Sequence, residues 1–195
     1  MEVFTVVLVA VTVFVLVFSL LLMYSGAFFT VNWRKGKPYE GTKYLAYWYR
    51  RGKYSESSEL FMRASKLFGK HNCPLFGVYY DKDSNDSQSR FAVGIFLPEK
   101  PSKELEKLLE ENEMNRHDLP EVETGLVAEF PFTTRFSILL SIFKVYPALD
   151  RYLKTHGMER KDPGACFEVC DPSKPKELRY FVVSGDDFVI PEFSR

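Results

Sequence analysis

The stretch Phe167-Glu168-Val169 sets a carboxylate inside an apolar run, with Cys166 and Cys170 two residues to either side. In a strand, side chains two apart share a face, so Glu168 and both cysteines line one surface. A carboxylate among aromatic groups attracts cations, and burial raises its pKa. Read instead as a strand position facing water, or as one end of a salt bridge, Glu168 does neither. Trp48 and Tyr80 are the aromatic candidates for the walls of a ligand site around it. Tyr44, Tyr47 and Tyr49 crowd the same stretch as Trp48, but alternation lets only some of them face a hollow, and most are expected as core and rim. Other chemistries find less support. His71, His117 and His156 are scattered, and no Cys/His spacing suits zinc. Glu110-Glu111 and Asp186-Asp187 read as surface or turn acids. There is no glycine-rich phosphate loop and no nucleophile elbow. The expectation is binding without turnover: no catalytic residue, no metal and no cofactor.

These residues follow a membrane segment. From Val3 to Tyr24 the chain holds no charged residue. As a helix these 22 residues reach about 33 Å, enough for a bilayer core. Thr5, Thr12 and Ser19 can bond back to the preceding turn. A cleaved signal peptide, with Ser25-Gly26-Ala27 as its site, and a buried core helix are the alternatives. A signal peptide has a positive n-region and a shorter apolar run, whereas only Glu2 precedes this one. Arg34, Lys35, Lys37 and Lys43 all follow the segment, so the positive-inside rule sets the remainder of the chain in the cytosol. Equal numbers of basic and acidic residues, 26 of each, exclude a strongly basic nucleic-acid binder. Cys166 and Cys170 would lie roughly 13 Å apart along a strand, too far to bridge.

The expected organisation is an anchor over residues 1–27, a juxtamembrane stalk over 28–40 and a domain over 41–195. In the domain, strands are expected over 42–51, 74–80 and 90–97, with a helix over 55–70 capped by Ser57 or Ser58. A helix over 101–112 follows. A strand over 122–130 leads to a helix from Thr133 or Thr134 to about His156, kinked or broken near Tyr146 by Pro147. Its apolar run, Phe136 to Phe143, reads as core. Strands over 165–171 and 178–184 and a short extended piece over 188–193 complete the chain. The order is β-α-β-β twice, an α+β arrangement in which an antiparallel sheet carries its helices on one face.

Several strings resemble a known group. They are Gly52-Lys53-Tyr54-Ser55-Glu56 with Leu60-Phe61, Val78-Tyr79-Tyr80-Asp81, Ala92-Val93-Gly94, Phe130-Pro131-Phe132-Thr133-Thr134, Pro147-Ala148-Leu149-Asp150, Glu168-Val169 and Ile190-Pro191-Glu192. In this order they resemble the testis-expressed family of ER-phagy receptors. The resemblance implies a GyrI-like domain, related to the effector-binding modules of bacterial regulators and to the SOUL haem-binding fold. It also implies a single-pass protein of the endoplasmic reticulum, or the nuclear envelope, with its domain in the cytosol. In GyrI-like modules the glutamate matching Glu168 lines the concave site and contacts cationic aromatic ligands, or assists hydrolysis in some relatives. The aromatic residue usual two positions later is Cys170 here. The receptors carry an acidic tail with an aromatic-x-x-aliphatic motif for Atg8-type proteins. That tail is not among these 195 residues, and Tyr180-Phe181-Val182-Val183 meets the pattern only formally, as an expected core strand.

Three functions are therefore carried forward: an ER adaptor for Atg8-type or quality-control proteins, a membrane-tethered sensor of a small cationic or aromatic molecule, and a GyrI-like hydrolase. The topology has its own test. Asn85-Asp86-Ser87 is a glycosylation acceptor pattern. In microsomes Asn85 is expected to remain unmodified, and a glycan there would put the domain in the lumen.

Overall fold

The computed structural model describes residues 2–81, 86–158, 165–183, 188 and 190–193. Asn85, Asp186 and Asp187, and the expected strand end at Ser184, lie outside them. Helix α1 spans Glu2–Tyr24. None of it is buried inside the molecule, which removes the core-helix reading. The Thr12 hydroxyl donates to the Leu8 carbonyl at 2.8 Å, so this polar group is satisfied within the helix.

The remaining strands are β1 (Arg34–Gly36), β2 (Lys43–Arg51), β3 (Leu75–Tyr79), β4 (Arg90–Leu97), β5 (Asn115–Leu119), β6 (Gly125–Pro131), β7 (Ala165–Cys170) and β8 (Glu177–Val183). The helices are α2 (Ser57–Phe68), α3 (Lys103–Glu111) and α4 (Arg135–Thr155). Among the described residues the strands form one antiparallel sheet in the order β1-β6-β8-β7-β3-β4-β2-β5. That order has an approximate two-fold built in. The unit β2-α2-β3-β4 gives β3-β4-β2 on one side, and β6-α4-β7-β8 gives β6-β8-β7 on the other. The halves meet at β7 and β3, and β1 and β5 extend the two edges.

Alternation sorts the core. Leu126, Ala128, Leu178 and Tyr180 pack under Val145, Leu149 and Leu153 of α4. Ala46 and Ile95 pack under Ala64 and Phe68 of α2 and Leu105 and Leu109 of α3. The pairing register puts all of these on one sheet face, so the helices share it. The opposite face carries Leu45, Tyr47, Phe76, Val78, Phe167 and Phe181. Phe188, Ile190 and Phe193 close over it, the last within a 3-10 turn rather than an extended piece.

Several expectations change. Residues 28–40, read as a stalk, enter the fold: Trp33 is buried, its indole donates to the Val145 carbonyl at 3.0 Å, and β1 pairs with β6. Neither Ser57 nor Ser58 caps α2; its first turn continues a 3-10 turn over Tyr54–Glu56, and Glu56 stands at the cap. Ser102 caps α3, accepting from the Leu105 amide, and Thr134 caps α4. Strand β5 has the polar pattern Asn-Arg-His-Asp-Leu and gave no apolar signal; it is an edge paired only with β2 in this sheet. Pro147 leaves α4 continuous because it sits on the solvent side. The partner it denies an amide is the Phe143 carbonyl, also on the open side. The run 136–143, expected as core, is exposed at Phe136, Ile138, Leu139, Ile142 and Phe143, because Ser137, Ser141 and Val145 are the residues turned to the sheet.

The end of α1 also docks. At the end of α1, Gly26 adopts φ 97°, a conformation an L side chain rarely takes, and the chain turns along Phe130 and Pro131. Thr133 Oγ1 donates to the Tyr24 carbonyl at 2.6 Å, and Ser137 Oγ donates to the Ser25 carbonyl at 3.1 Å. The Lys144 ammonium donates to the Ala27 carbonyl and, at 2.7 Å, to that of Phe29.

Strand β4 depends on glycine at one point. A Cβ on Gly94 would fall 1.9 Å from the Ala46 carbonyl oxygen of β2, and backbone cannot yield as a side-chain tip can. Gly94→Ala is therefore expected to cost about 1–3 kcal/mol or more, read as a lower thermal midpoint of the detergent-solubilised chain.

Candidate functional site

The centre of the sheet assembles the site. In β7, Glu168 pairs with Gly77 of β3 on one side and Tyr180 of β8 on the other. All three lie on the helix-bearing face. There α2 covers β3 and β4 while α4 packs over β6 and β8, and β7 runs in the groove between the helices. Gly77 leaves room in the floor: a Cβ there would fall 2.8 Å from the tip of Phe61, which leans in from α2.

Tyrosines surround the carboxyl group. Tyr146 of α4 donates its hydroxyl to Glu168 Oε1 at 2.8 Å. Tyr79, two residues along from Gly77, shares a 3.0 Å hydrogen bond with Ser57 of α2. Tyr180 donates to Ser141 Oγ at 2.7 Å and meets the Tyr146 ring edge-on at 6.4 Å. Glu168, Phe61 and Tyr146 each keep part of their surface exposed.

Burial decides the electrostatics. Desolvation pushes the Glu168 carboxyl up to about 7, against the Tyr146 and Tyr79 hydroxyls, which favour the charged form. Cys170, on the same face, is pushed up to about 11, first by burial and then by the Glu168 charge. Tyr79, Tyr146 and Tyr180 are all raised well above their ordinary value, by burial first and then by the same charge. They remain hydroxyl donors across the accessible pH range. The groove thus holds an acid poised near neutrality against aromatic faces, a setting for a cation.

The three residues singled out from the sequence do not meet. Glu168 is in the groove, with Cys166 and Cys170 on its face as alternation requires. Trp48 lies in the same cross-sheet row, through Val93 and Gly77, but three strands away, about 14 Å at ordinary strand spacing. Its indole donates to the Asn112 carbonyl at 2.9 Å, and the Arg63 guanidinium sits 4.4 Å from its ring. Tyr80 is on the opposite face, buried against Phe193, and its hydroxyl accepts from the Ile190 amide at 3.4 Å. Tyr47 also points that way, donating to Glu192 Oε2 at 2.9 Å. Tyr79, Tyr146, Tyr180, Phe61 and Gly77 were not singled out. The signal for Tyr79 was present, since it stands at even spacing from Gly77; the pairing of β3 with β7 that makes this matter leaves no local mark.

A second hollow, a cavity of about 430 Å³, opens on the other sheet face between Tyr39, His71, Phe96, Arg179 and Phe181. It contains none of the expected site residues. Among the described residues no group of three His, Cys, Asp or Glu side chains gathers as a metal site.

Comparison with known proteins bears on this geometry. The chain is 32% identical over 136 residues to the testis-expressed protein 264 homolog of Mus musculus, and 33% identical over 136 residues to testis-expressed protein 264 of Homo sapiens. Each match covers 67% of this chain and 43% of the relative, so the chain spans less than half the length of the curated relatives it matches. No family model matches. Among solved structures, SAV2435 bound to tetraphenylphosphonium superposes with a TM-score of 0.51 at 8% identity, covering 77% of this chain and 92% of that one. The fold is GyrI-like. The expected α+β class, with two β-α-β-β units, one antiparallel sheet and helices on one face, is the observed one.

The raised Glu168 carboxyl has a consequence for stability. An unfolded chain releases this proton near pH 4.3. Between about pH 4.3 and 7 the folded domain therefore holds a proton that the unfolded chain has lost. Its contribution is greatest in acid and declines as pH rises through that window. Glu168→Gln removes the dependence. Relative to the parent, the variant is expected to gain stability from pH 5 to pH 8, by about 2–3 kcal/mol, measured by thermal unfolding at each pH.

Proposed function

We propose that this GyrI-like domain is a membrane-anchored receptor for an organic cation, which rests over Glu168 in the groove between α2 and α4. One observation carries the reading: a carboxyl raised to about 7 by burial, floored by glycine and ringed by Tyr79, Tyr146 and Tyr180. Its desolvation disfavours the bare charge, and an incoming cation with an apolar aromatic body would relieve that penalty while stacking on the rings. The tetraphenylphosphonium held by SAV2435 is a molecule of this class. The tyrosines orient the acid rather than activate a nucleophile, so binding without turnover is proposed, and the hydrolase reading is set below it.

The second reading is an adaptor on the endoplasmic-reticulum membrane, its domain in the cytosol, linked to selective autophagy of that organelle through Atg8-type or quality-control proteins. The 136 residues of similarity to testis-expressed protein 264 support it, together with the apolar helix and the basic residues that follow it. The two readings are compatible: occupancy of the groove would inform the membrane adaptor of a ligand.

Tetraphenylphosphonium is the probe for the first reading, with the full-length chain in detergent or vesicles. The parent chain is expected to bind it, and Glu168→Gln to bind at least about tenfold more weakly, since about 1.4 kcal/mol of lost attraction is one decade. Affinity for the parent is expected to fall about tenfold from pH 8 to pH 6, because a carboxyl with a pKa near 7 is about one-tenth ionised at pH 6. Equal binding by parent and variant rejects the cation site. Capture of Atg8-type proteins by parent and variant alike would support the adaptor reading; no capture by the full-length chain would remove it. Loss of a hydrolytic turnover in the variant would reinstate the enzyme.

A further inference from the structure

The exposed apolar row on α4 is a large feature of the domain that neither the core nor the groove accounts for. Phe136 is 42% exposed, Leu139 51% and Phe143 68%, and these three follow helical spacing; Ile138 and Ile142 flank them, also exposed. The row is confined to the first half of the helix. Farther along, the outward positions are Pro147, Asp150, Arg151 and Lys154. The apolar half is also the half that touches the anchor. Thr133 and Ser137 bond the carbonyls of Tyr24 and Ser25, and Ser25 Oγ lies 2.6 Å from Thr134 Oγ1. Lys144 ties the far end of the row to Ala27 and Phe29, beside Phe28, which is 80% exposed.

The geometry points to the first two turns of α4 as an interfacial helix, lying in the lipid leaflet from which α1 emerges and holding the domain flat against the membrane. The occupant of the patch is the bilayer, because the patch begins beside the end of α1, where Thr133, Thr134 and Ser137 contact Tyr24 and Ser25. A helix with its outer face apolar for two turns and charged thereafter suits a headgroup boundary, where apolar side chains enter the acyl region and basic ones meet phosphate. Arg135 is exposed at the start of the row, and Arg34 and Lys35, in the edge strand that follows the anchor, are exposed as well. Tyr24 and Phe28 add interfacial aromatics. The inference rests on α1 spanning the membrane, and is independent of any ligand at Glu168.

The experiment uses the full-length chain in phosphatidylcholine vesicles, carrying an environment-sensitive dye on a single introduced cysteine. Phe143→Cys and Leu139→Cys report on the row, Leu16→Cys on the anchor and Lys107→Cys on α3, which is exposed away from the row. The parent chain gives the blank, since Cys73 and Cys166 are buried and the Cys170 thiol is held protonated. Quenching by a nitroxide on the lipid acyl chain and by aqueous iodide is compared. Dyes at 139 and 143 are expected to be quenched by lipid at least severalfold more than at 107, and to be shielded from iodide as at 16. If 16 is quenched by lipid while 139 and 143 answer to iodide, α4 does not touch the bilayer and the inference fails with the anchor intact. If 16 is not quenched by lipid, the anchor reading fails and takes this inference with it. If 139 and 143 are shielded from both quenchers, protein covers the row, a second copy or another partner, and the lipid assignment is wrong.

Discussion

The antiparallel pairing of β3 with β7 is the joint on which the molecule depends. Each half of the chain supplies three strands and a helix and packs its own cluster on the helix-bearing face; the sheet becomes continuous, and the core of the opposite face is completed, only where Leu75–Tyr79 meets Ala165–Cys170. The same contact writes the site. It sets Gly77 beside Glu168 and leaves the carboxyl facing the gap between the helices, where a side chain on residue 77 would strike Phe61. A shift of one residue in this register would turn Glu168 toward the face that carries Phe167, Phe181 and the C-terminal residues, and the groove would lose its acid.

The groove departs from ordinary folding economy. Most acids stay in water, and the core around this one would be more stable at neutral pH without its charge. Tyr146 partly compensates with a hydrogen bond, and Tyr180 and Tyr79 take serines as partners. The polar atoms at the site are thus satisfied while, among the described residues, the negative charge has no cationic partner within the groove. That imbalance distinguishes it from the ion pairs elsewhere, such as Asp81 with Arg90, where the guanidinium and the Arg90 backbone amide hold the carboxyl below its ordinary range despite burial.

The sequence made the repeating units, the apolar N-terminal helix and the placement of Glu168 in a strand legible because each rests on local pattern: alternation, an uninterrupted apolar run, a charge inside a strand. The sheet order, which no spacing encodes, was not. Trp48 and Tyr80 were reasonable aromatic companions for Glu168, but two strands lie between one and it, and the thickness of the sheet separates the other. Strands β1 and β5 escaped because Arg-Lys-Gly and Asn-Arg-His-Asp-Leu are polar edges whose strand form comes from a neighbour, not from propensity. The run 136–143 misled in the opposite sense: apolar composition indicated burial, yet the serines interleaved with it are what face the sheet.

The position of β1 has a consequence for reach. The strand that follows α1 is one edge of the sheet, and β5 is the other, seven inter-strand steps away. At ordinary strand spacing that is about 34 Å measured across the strands. The β5 edge, which among the described residues pairs on one side only, is therefore held far across the sheet from α1, and a strand offered by another protein would pair with it clear of the residues that pack against the end of α1.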